Sequence, residues 1–304
     1  MEICDMVKTA CDMPDARYAK LWDSIVVDRS VKDRLLYSAA LSLRLRAELT
    51  FEVTALHGLA LLYGPPGTGK TTLARGLAYQ LASLTTRRRA RFVEINPHGL
   101  MSAEHGQSQR RVTELLTEQV PSMVDDGMPT VVLLDEVESM VVARSQASLA
   151  ANPADVHRAT DAVLTAIDSN ASALPHLVFV ATSNFTGAID EAFLSRADVA
   201  IHVPAPDAPG VLAILKATLE GMSASFPRLA QLASNVQLER VANALAGTDG
   251  RRVRKAVSEA MLGRLETVVD PGVLTVEDLM AAAGRIAHSQ SMVRAQVGGG
   301  NGTK

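Results

Sequence analysis

The sequence predicts an α/β fold, in which a parallel sheet of five strands is flanked by helices and followed by a smaller helical domain. Up to Val203, short apolar runs alternate with segments of helical periodicity, which is typical of a parallel sheet buried on both faces. Hydrophobic residues form 47% of the chain but aromatic residues only 4%, so the predicted core is aliphatic. Such a core suits helices on a sheet better than an all-β sandwich. After Val203 only helical patterns follow.

The strands and helices of the α/β part follow from the positions of its apolar residues. From Ser30 to about Ala47, apolar residues recur on one face, which predicts a helix. The runs predicted to be strands are 59–62, 92–95, 131–134, 177–181 and 199–201. Further helices are predicted to begin near Gly69, Ser108, Glu136 and Asp155.

Changes of composition mark the domain boundaries. The first residues are polar and mixed, which predicts a loose arm, and the last ones are rich in glycine, which predicts a flexible tail. Pro204 and Pro206 interrupt the chain where the α/β pattern stops. The expected organisation is an N-terminal arm at 1–20, a large α/β domain at 21–205, a small helical lid domain at 206–290 and a tail at 291–304.

Charge and composition exclude several classes of function. The 304 residues carry 30 Lys and Arg against 33 Asp and Glu, so the chain lacks the overall basic field of a dedicated nucleic-acid binder. Its 2 cysteines make neither a disulfide framework nor a four-ligand zinc site, which favours a reducing compartment. The first 20 residues lack the continuous apolar stretch of a signal peptide, and no apolar run reaches the roughly 18 residues that span a bilayer. A cytoplasmic protein without a membrane partner is therefore expected.

An arginine-rich run, Arg87–Arg91, is a candidate nucleic-acid patch. However, no aromatic residues are interleaved with it to stack on bases. A solvated loop between a helix and a strand, or a charge cluster at a subunit interface, is the favoured interpretation. Nucleic acid is therefore not expected as a partner.

A phosphate-binding loop is predicted at Gly64–Thr71, where the sequence fits Gly-x-x-x-x-Gly-Lys-Ser/Thr between an apolar strand and a helix. Its glycines let backbone N–H groups close around phosphate oxygens, and the helix N-terminus adds positive charge at that point. Lys70 supplies a charge for the β- and γ-phosphates of ATP, and the Thr71 hydroxyl can ligate Mg²⁺. The alternative, a Gly/Pro turn with a chance lysine, leaves the flanking strand and helix unexplained. The residues expected to hold the nucleotide here are Pro66, Gly67, Thr68, Gly69, Lys70, Thr71 and Thr72.

Two acids, Asp135 and Glu136, directly follow four apolar residues. This pattern places them at the C-terminal end of a buried strand, where ligands bind in open α/β sheets. Asp135 is expected to hold Mg²⁺ through water, and Glu136 to polarise the attacking water. The alternative is an acidic first turn of the next helix, favoured by the helix dipole. A phosphate loop about 60 residues upstream favours the ATP-site interpretation.

Three further residues are candidates for the same site. Asn184 follows the fourth predicted strand and could orient the attacking water, or form an Asx-turn. Arg196 follows a short helix and could reach a neighbouring subunit's nucleotide as an arginine finger, or be an ordinary surface arginine. Arg251 opens a helix of the small domain and could touch the γ-phosphate, with Arg252 and Arg254 as alternatives for that role.

In this order and spacing, these features resemble the AAA+ ATPases. The match sharpens to the pachytene checkpoint protein 2 family, also called thyroid-receptor-interacting protein 13. The resemblance runs from about Leu21 to about His288, and its more diagnostic segments are Asp135–Ser139, Asp161–Asp168 and Arg196–Asp198. It implies ring-shaped homohexamers that use ATP to remodel HORMA-domain proteins, whose N-terminal segment is partly unfolded through the central pore.

The resemblance also implies roles for individual residues. Ile25 and Val26 lie where such proteins pass the adenine, although apolar packing explains them equally well. By motif position, Lys70 and Thr71 are the phosphate-loop pair, Asp135 and Glu136 the Walker B acids, Asn184 the first sensor, Arg196 the finger and Arg251 the second sensor.

Two departures from the family pattern bear on the client. The chain starts almost at the ATPase module, which resembles minimal prokaryotic forms that accompany HORMA proteins in bacterial antiphage (CBASS) operons. In those operons the ATPase is thought to disassemble complexes of a HORMA protein with a nucleotidyltransferase. Where the family has an aromatic pair in its pore loop, this chain reads Met101–Gly106, and Glu104 and His105 grip a chain less well than aromatics.

The predicted function is therefore an ATP hydrolase, with ATP and Mg²⁺, that remodels a HORMA-domain protein. One alternative is an AAA+ unfoldase or remodeller with a different protein client. Another is a nucleotide-gated scaffold without productive turnover, against which the presence of both Glu136 and Asn184 argues.

Overall fold

The computed structural model describes residues 6–96, 107–124, 126–141, 153–185, 187 and 189–298. The chain forms two compact units. The first unit extends to Val203, except for Pro66–Thr68, which belong with the second unit from Pro204 onward.

The first unit is built on a six-stranded sheet. Its strands are β1 (Val7–Met13), β2 (Leu59–Tyr63), β3 (Ala90–Ile95), β4 (Thr130–Leu134), β5 (Leu177–Ser183) and β6 (Val199–His202). They lie in the order β1-β3-β4-β5-β2-β6, and all neighbours are parallel except β1 and β3. The α/β fold with a parallel sheet is confirmed, and the sheet has one strand more than the five predicted.

The additional strand, β1, shows that the prediction of a loose arm at 1–20 is wrong for Val7–Met13. β1 pairs antiparallel with β3 at the edge of the sheet. Lys8 Nζ lies 2.7 Å from a carboxylate oxygen of the buried Glu94, across the two strands. Only Val7 and Met13 of β1 are buried. Because an edge strand with few buried side chains carries little apolar pattern, its sequence did not reveal it.

Helices and turns connect the strands largely where periodicity predicts them. Helix α3 (Arg29–Glu48) confirms the helix predicted from Ser30. Three of the four predicted starts lie near the first residues of α5 (Lys70–Leu84), α6 (Gln107–Glu114) and α8 (Pro153–Ala173). Near Glu136 the structure has instead a single 3₁₀ turn (Val137–Ser139), and residues 142–152 lie outside the described part. The helices are α1 (Ala16–Ala19), α2 (Leu21–Ser24), α3 (Arg29–Glu48), α4 (Phe51–Thr54), α5 (Lys70–Leu84), α6 (Gln107–Glu114), α7 (Val120–Val124), α8 (Pro153–Ala173) and α9 (Glu191–Leu194), with a π-helical turn (Leu115–Gln119) between α6 and α7.

The core of the first unit lies on both faces of the sheet, because successive strand residues point to opposite faces. In β2, Leu59 and Leu61 join one apolar cluster, whereas Ala60 and Leu62 join the other, which also contains the inner sides of α3 and α5. α2 approaches α5 at Gly76, where a Cβ atom would lie only 2.8 Å from the backbone nitrogen of Trp22. This close packing fixes α5, whose first residues, Lys70 and Thr71, end the predicted phosphate-binding loop.

A buried arginine fixes the end of α8 against the start of β5. Arg46, on α3, is only 6% exposed, and its guanidinium donates to the carbonyl oxygens of Asn170, Ala171, Leu174 and Leu177. The last carbonyls of a helix have no partners inside the helix, so a cation there stabilises the helix end. The arginine thereby anchors the strand whose far end carries Asn184.

The second unit is helical, and no strand occurs among its described residues. Its last helix shows that the prediction of a flexible tail at 291–304 is wrong up to Gly298, because 291–297 contains neither glycine nor proline and continues the helix. None of the helices that the structure describes is both long and apolar enough to cross a membrane. The elements are α10 (Ala208–Ser223), α11 (Leu229–Ala233), α12 (Leu238–Ala244), α13 (Gly250–Met261), α14 (Leu265–Val269), a 3₁₀ turn (Pro271–Val273) and α15 (Val276–Gly298).

Candidate nucleotide-binding site

The loop between β2 and α5 has the backbone that its glycines permit. Gly64 and Gly69 have φ angles of +147° and +98°, which residues other than glycine rarely adopt. A Cβ atom would also collide at both positions, 2.3 Å from the carbonyl oxygen of Val203 at Gly64 and 2.5 Å from the Ile25 side chain at Gly69. The sequence pattern therefore reflects a steric requirement of the loop.

Lys70, the first residue of α5, is buried and points back into this loop. Its Nζ donates to the carbonyl oxygens of Gly64 and Pro65, at 2.8 and 2.9 Å, and to Asn184 Oδ1 at 2.9 Å. Burial lowers the pKa of Lys70 below its ordinary value, while the charges of Glu138, then of Asp135 and Glu136, oppose that shift. The fold thus brings together Lys70 and Asn184, which are 114 residues apart in sequence.

Two threonine hydroxyls hold the Asp135 carboxylate. Thr71 Oγ1 and Thr182 Oγ1 donate to the same oxygen, Asp135 Oδ1, at 2.7 and 2.6 Å. The Thr71 hydroxyl and the Asp135 carboxylate are oxygen donors of the kind that Mg²⁺ binds. The described residues contain no group of three His, Cys, Asp or Glu that could hold a metal ion by itself. The pair therefore fits a Mg²⁺ ion whose remaining ligands are substrate phosphates and water.

Glu136 has an unusual backbone conformation. Its φ angle is +51°, in the left-handed region, and its amide donates to Thr182 Oγ1 at 3.0 Å. A non-glycine residue there is strained, and the hydroxyl of the neighbouring strand holds it. The side chain is exposed at the end of β4. It is therefore presented next to Asp135 and in contact with solvent, as a residue that activates water must be.

Two residues of this cluster were given no role from the sequence. Thr182 bridges Asp135 and Glu136, and Glu138 Oε1 accepts a hydrogen bond of 3.0 Å from the backbone amide of Asn184. The sequence shows a hydroxyl or carboxylate side chain at or just after the ends of these two strands. Because the sequence does not show that β4 and β5 are neighbours, it could not reveal that these side chains contact the site residues.

Arg196 is not among these contacts in the structure. Its Nε and Nη2 donate to the two carboxylate oxygens of Asp168, at 2.7 and 2.8 Å, and Nη1 donates to the Ala192 carbonyl oxygen at 2.8 Å. His57 Nε2 lies 3.4 Å from the same carboxylate. The hydrogen bond from Arg196 lowers the pKa of Asp168, and the Coulombic effects of Arg196 and His57 add to it. Arg196 therefore sits at a different place on the first unit, where a role toward another subunit stays a prediction.

The remaining predicted residues are placed as follows. Ile25 is buried and packs against the phosphate loop at Gly69, and Val26 is half-buried. In the second unit the Arg251 amide donates to the Gly67 carbonyl oxygen at 3.3 Å. Arg252 pairs with Asp249, and Arg254 donates to the Gly250 carbonyl oxygen, so the second-sensor assignment stays a prediction. The predicted pore loop, Met101–Gly106, lies outside the described residues.

The arginine-rich run is partly engaged by acids of its own chain. Arg89 and Arg91 both pair with Asp12 on β1, and Arg91 also pairs with Asp126. These contacts neutralise part of the run's charge. The choice between a solvated loop and a subunit-interface cluster stays a prediction.

Similarity to known proteins shows the family to which the chain belongs. Residues 60–205 match the model of the ATPase family associated with various cellular activities (AAA). CD-NTase-associated protein 6 of Pseudomonas aeruginosa is 44% identical over 270 residues, covering 89% of this chain and 88% of the relative. The pachytene checkpoint protein 2 homolog of Danio rerio is 32% identical, covering 86% of this chain and 68% of the relative. The chain belongs to the pachytene checkpoint protein 2 family of AAA ATPases.

The fold of this family member is also that of a solved relative. The structure of the E. coli MS115-1 HORMA:CdnC:Trip13 complex contains a chain that matches with a TM-score of 0.72 and 16% identity, covering 92% of this chain and 95% of that chain. At this identity the match supports the fold. The family resemblance read from the sequence is confirmed, and with it the class of AAA ATPases.

Proposed function

We propose that this protein hydrolyses ATP to remodel a HORMA-domain protein, disassembling its signalling complex with a nucleotidyltransferase in bacterial antiphage defence. The observation that carries the hydrolase part is the joining of Lys70 to Asn184 and of Thr71 to Asp135. These contacts assemble, from three separate segments, the groups needed to bind a triphosphate and activate water.

The site residues divide the work of phosphoryl transfer to water. Lys70 holds the β- and γ-phosphates by its charge, in place of the loop carbonyls that it now contacts. Thr71 and, through water, Asp135 would hold Mg²⁺, which would neutralise charge on the phosphate oxygens. Glu136 accepts the proton of the attacking water, and Asn184 orients that water. The backbone amides of Gly67–Thr71 surround the phosphates, and Ile25 and Val26 border the adenine.

We extend the proposal to a ring of six copies, in which Arg196 acts on the nucleotide of the next subunit and Arg251 senses the γ-phosphate. Arg196 is half-buried on the first unit and bound to Asp168, away from the Lys70 contacts. An arginine so placed serves a hydrolytic site only as a group supplied from another chain. Hydrolysis in this proposal depends on assembly.

The client follows from two relatives. One is named as a protein associated with a CD-NTase, and the other was solved in a complex with a HORMA protein and CdnC. The first name supports an association with a CD-NTase, and the second supports a HORMA-domain client in a complex with CdnC.

The test combines turnover with client capture. Purified protein should release phosphate from ATP, and a HORMA-domain protein should stimulate that release. Glu136→Gln should bind ATP, lose most of its turnover and retain the HORMA protein, because removal of the base stalls the cycle after binding. Glu239→Gln, an exposed acid of the second unit, is the matched control and should behave as the unmodified protein.

The outcomes separate the parts of the proposal. Unchanged turnover in Glu136→Gln contradicts the assignment of the base. Turnover without any response to a HORMA protein, and without its capture by Glu136→Gln, contradicts the client and favours an AAA remodeller with another substrate. ATP binding without turnover in the unmodified protein favours a nucleotide-gated scaffold.

A further inference from the structure

A third acid, which follows Asp135 and Glu136 in sequence, has a contact that the phosphate-loop motifs do not describe. Glu138 lies in the 3₁₀ turn directly after Asp135 and Glu136, and its Oε1 accepts a hydrogen bond of 3.0 Å from the Asn184 amide. The two residues are 46 positions apart in sequence. This bond joins the turn after β4 to the end of β5.

The other oxygen of that carboxylate is in an unfavourable place. Glu138 Oε2 is buried and has no hydrogen-bond partner among the described residues. Burying an unpaired carboxylate oxygen costs free energy, so a neutral acceptor would satisfy the Asn184 amide at lower cost. Retaining a carboxylate there calls for a further interaction of its charge.

Lys70 provides that interaction. Among the nearby acids, Glu138 exerts the largest favourable charge effect on the Lys70 ammonium, ahead of Asp135 and Glu136. Lys70 also donates to the Asn184 side chain at 2.9 Å. Glu138 therefore acts on both partners of the Lys70–Asn184 contact, on one through a hydrogen bond and on the other through charge.

We propose that Glu138 is a positioning residue that fixes Asn184 relative to Lys70, so that the side-chain amide of Asn184 is held where it orients the attacking water. The proposal rests on the proposed ATP hydrolysis. It assigns Glu138 no contact with the substrate. Its effect passes through the backbone of Asn184, and its oxygen Oε1 is the atom that matters most.

The alternative is that Glu138 only stabilises the fold, and a double-substitution cycle separates the two. When two residues act through one another, the effects of their substitutions on kcat are not additive in free energy. A general loss of stability, by contrast, adds to the effect of any other substitution. Glu138→Ala and Asn184→Ala are compared with the double variant. Glu138→Gln keeps a carbonyl oxygen for the Asn184 amide while removing the charge.

The expected result is a defect in kcat. Glu138→Ala should lower kcat for ATP about 10-fold or more, with KM changed less than about threefold, because the phosphate loop still binds the nucleotide. Glu138→Gln should recover at least half of the kcat lost on a logarithmic scale. The double variant should be within about twofold of Asn184→Ala. Ser139→Ala, an exposed position of the same turn, should leave both constants unchanged.

Three results overturn the role. These are an unchanged kcat in Glu138→Ala, a Gln variant no better than the Ala variant, and a double variant whose defect equals the product of the single defects. In each case turnover by the unmodified protein keeps the proposed function intact. Absence of turnover in the unmodified protein overturns the proposed hydrolase, and this role with it.

Discussion

Replacing Thr182 by valine removes one hydroxyl from the centre of the candidate site with almost no change of shape. Thr182 is 1% exposed, and its Oγ1 donates to Asp135 Oδ1 at 2.6 Å and accepts the Glu136 amide at 3.0 Å. Valine keeps the volume and the strand preference of threonine, so β5 should form as before. The perturbation therefore falls on the two acids.

The magnitude follows from the two bonds that are lost. A hydrogen bond to a charged carboxylate contributes about 1.5–3 kcal/mol, and the Glu136 amide also loses its acceptor. Glu136 has a φ angle of +51°, which costs about 1–3 kcal/mol and needs that support. If about 1.4–2.8 kcal/mol of this support is lost from the transition state, kcat falls about 10- to 100-fold. Nucleotide affinity should change little, because Lys70 and the loop amides are untouched.

The measurement is steady-state phosphate release together with the dissociation constant of a fluorescent ATP analogue. Thr182→Ser keeps the hydroxyl and is the matched control, with an expected kcat within about threefold of the unmodified protein. A Thr182→Val variant with unchanged kcat would refute the idea that this hydroxyl holds Glu136 in its working position. A fall in kcat shared equally by the serine variant would refute it as well, since the hydroxyl would then not be the cause.

Two further predictions concern the ring and the edge of the sheet. Arg196→Ala should lower ring turnover about 1000-fold or more. Mixing it with Lys70→Ala subunits should restore part of the activity, because an Arg196→Ala site whose neighbour is a Lys70→Ala subunit receives that neighbour's intact finger; a mixture as inactive as its components would contradict action between subunits. Glu94→Gln should lower the free energy of unfolding by about 1–3 kcal/mol at pH 7, measured in urea, because Glu94 pairs with Arg75 and Lys8, which are themselves partly exposed. Burial tends to raise the pKa of Glu94, but its hydrogen bonds with those two cations outweigh burial and leave the pKa below its ordinary value. The stabilisation by the charged carboxylate is therefore present at neutral pH. The difference in unfolding free energy between the two proteins should shrink as the pH falls below about 4. A difference that grows on acidification would contradict this assignment.

The sequence pattern revealed those structural features whose physical cause lies in neighbouring residues of the chain. The phosphate loop needs its glycines because positive φ angles and close backbone approach exclude a Cβ atom at Gly64 and Gly69. Asp135 and Glu136 follow a continuous apolar run because a buried parallel strand must end before its ligand-binding edge. Strand and helix alternation gave five of the six strands for the same reason.

By itself the sequence thus determined the fold class, the family and the residue types at the site. Only the tertiary structure decided which atoms meet: that Thr182 holds both acids, that Glu138 holds Asn184 and that Arg196 is bound by Asp168. These pairs are 28 to 47 residues apart. The contacts of Thr182 and of Glu138 form because β4 lies beside β5 in a fixed register, and strand order depends on how the whole core packs. The Arg196–Asp168 pair instead joins α8 to the segment after α9. The edge strand β1 also depends on tertiary structure. Its pairing with β3 supplies the stabilisation that its few buried apolar residues do not provide.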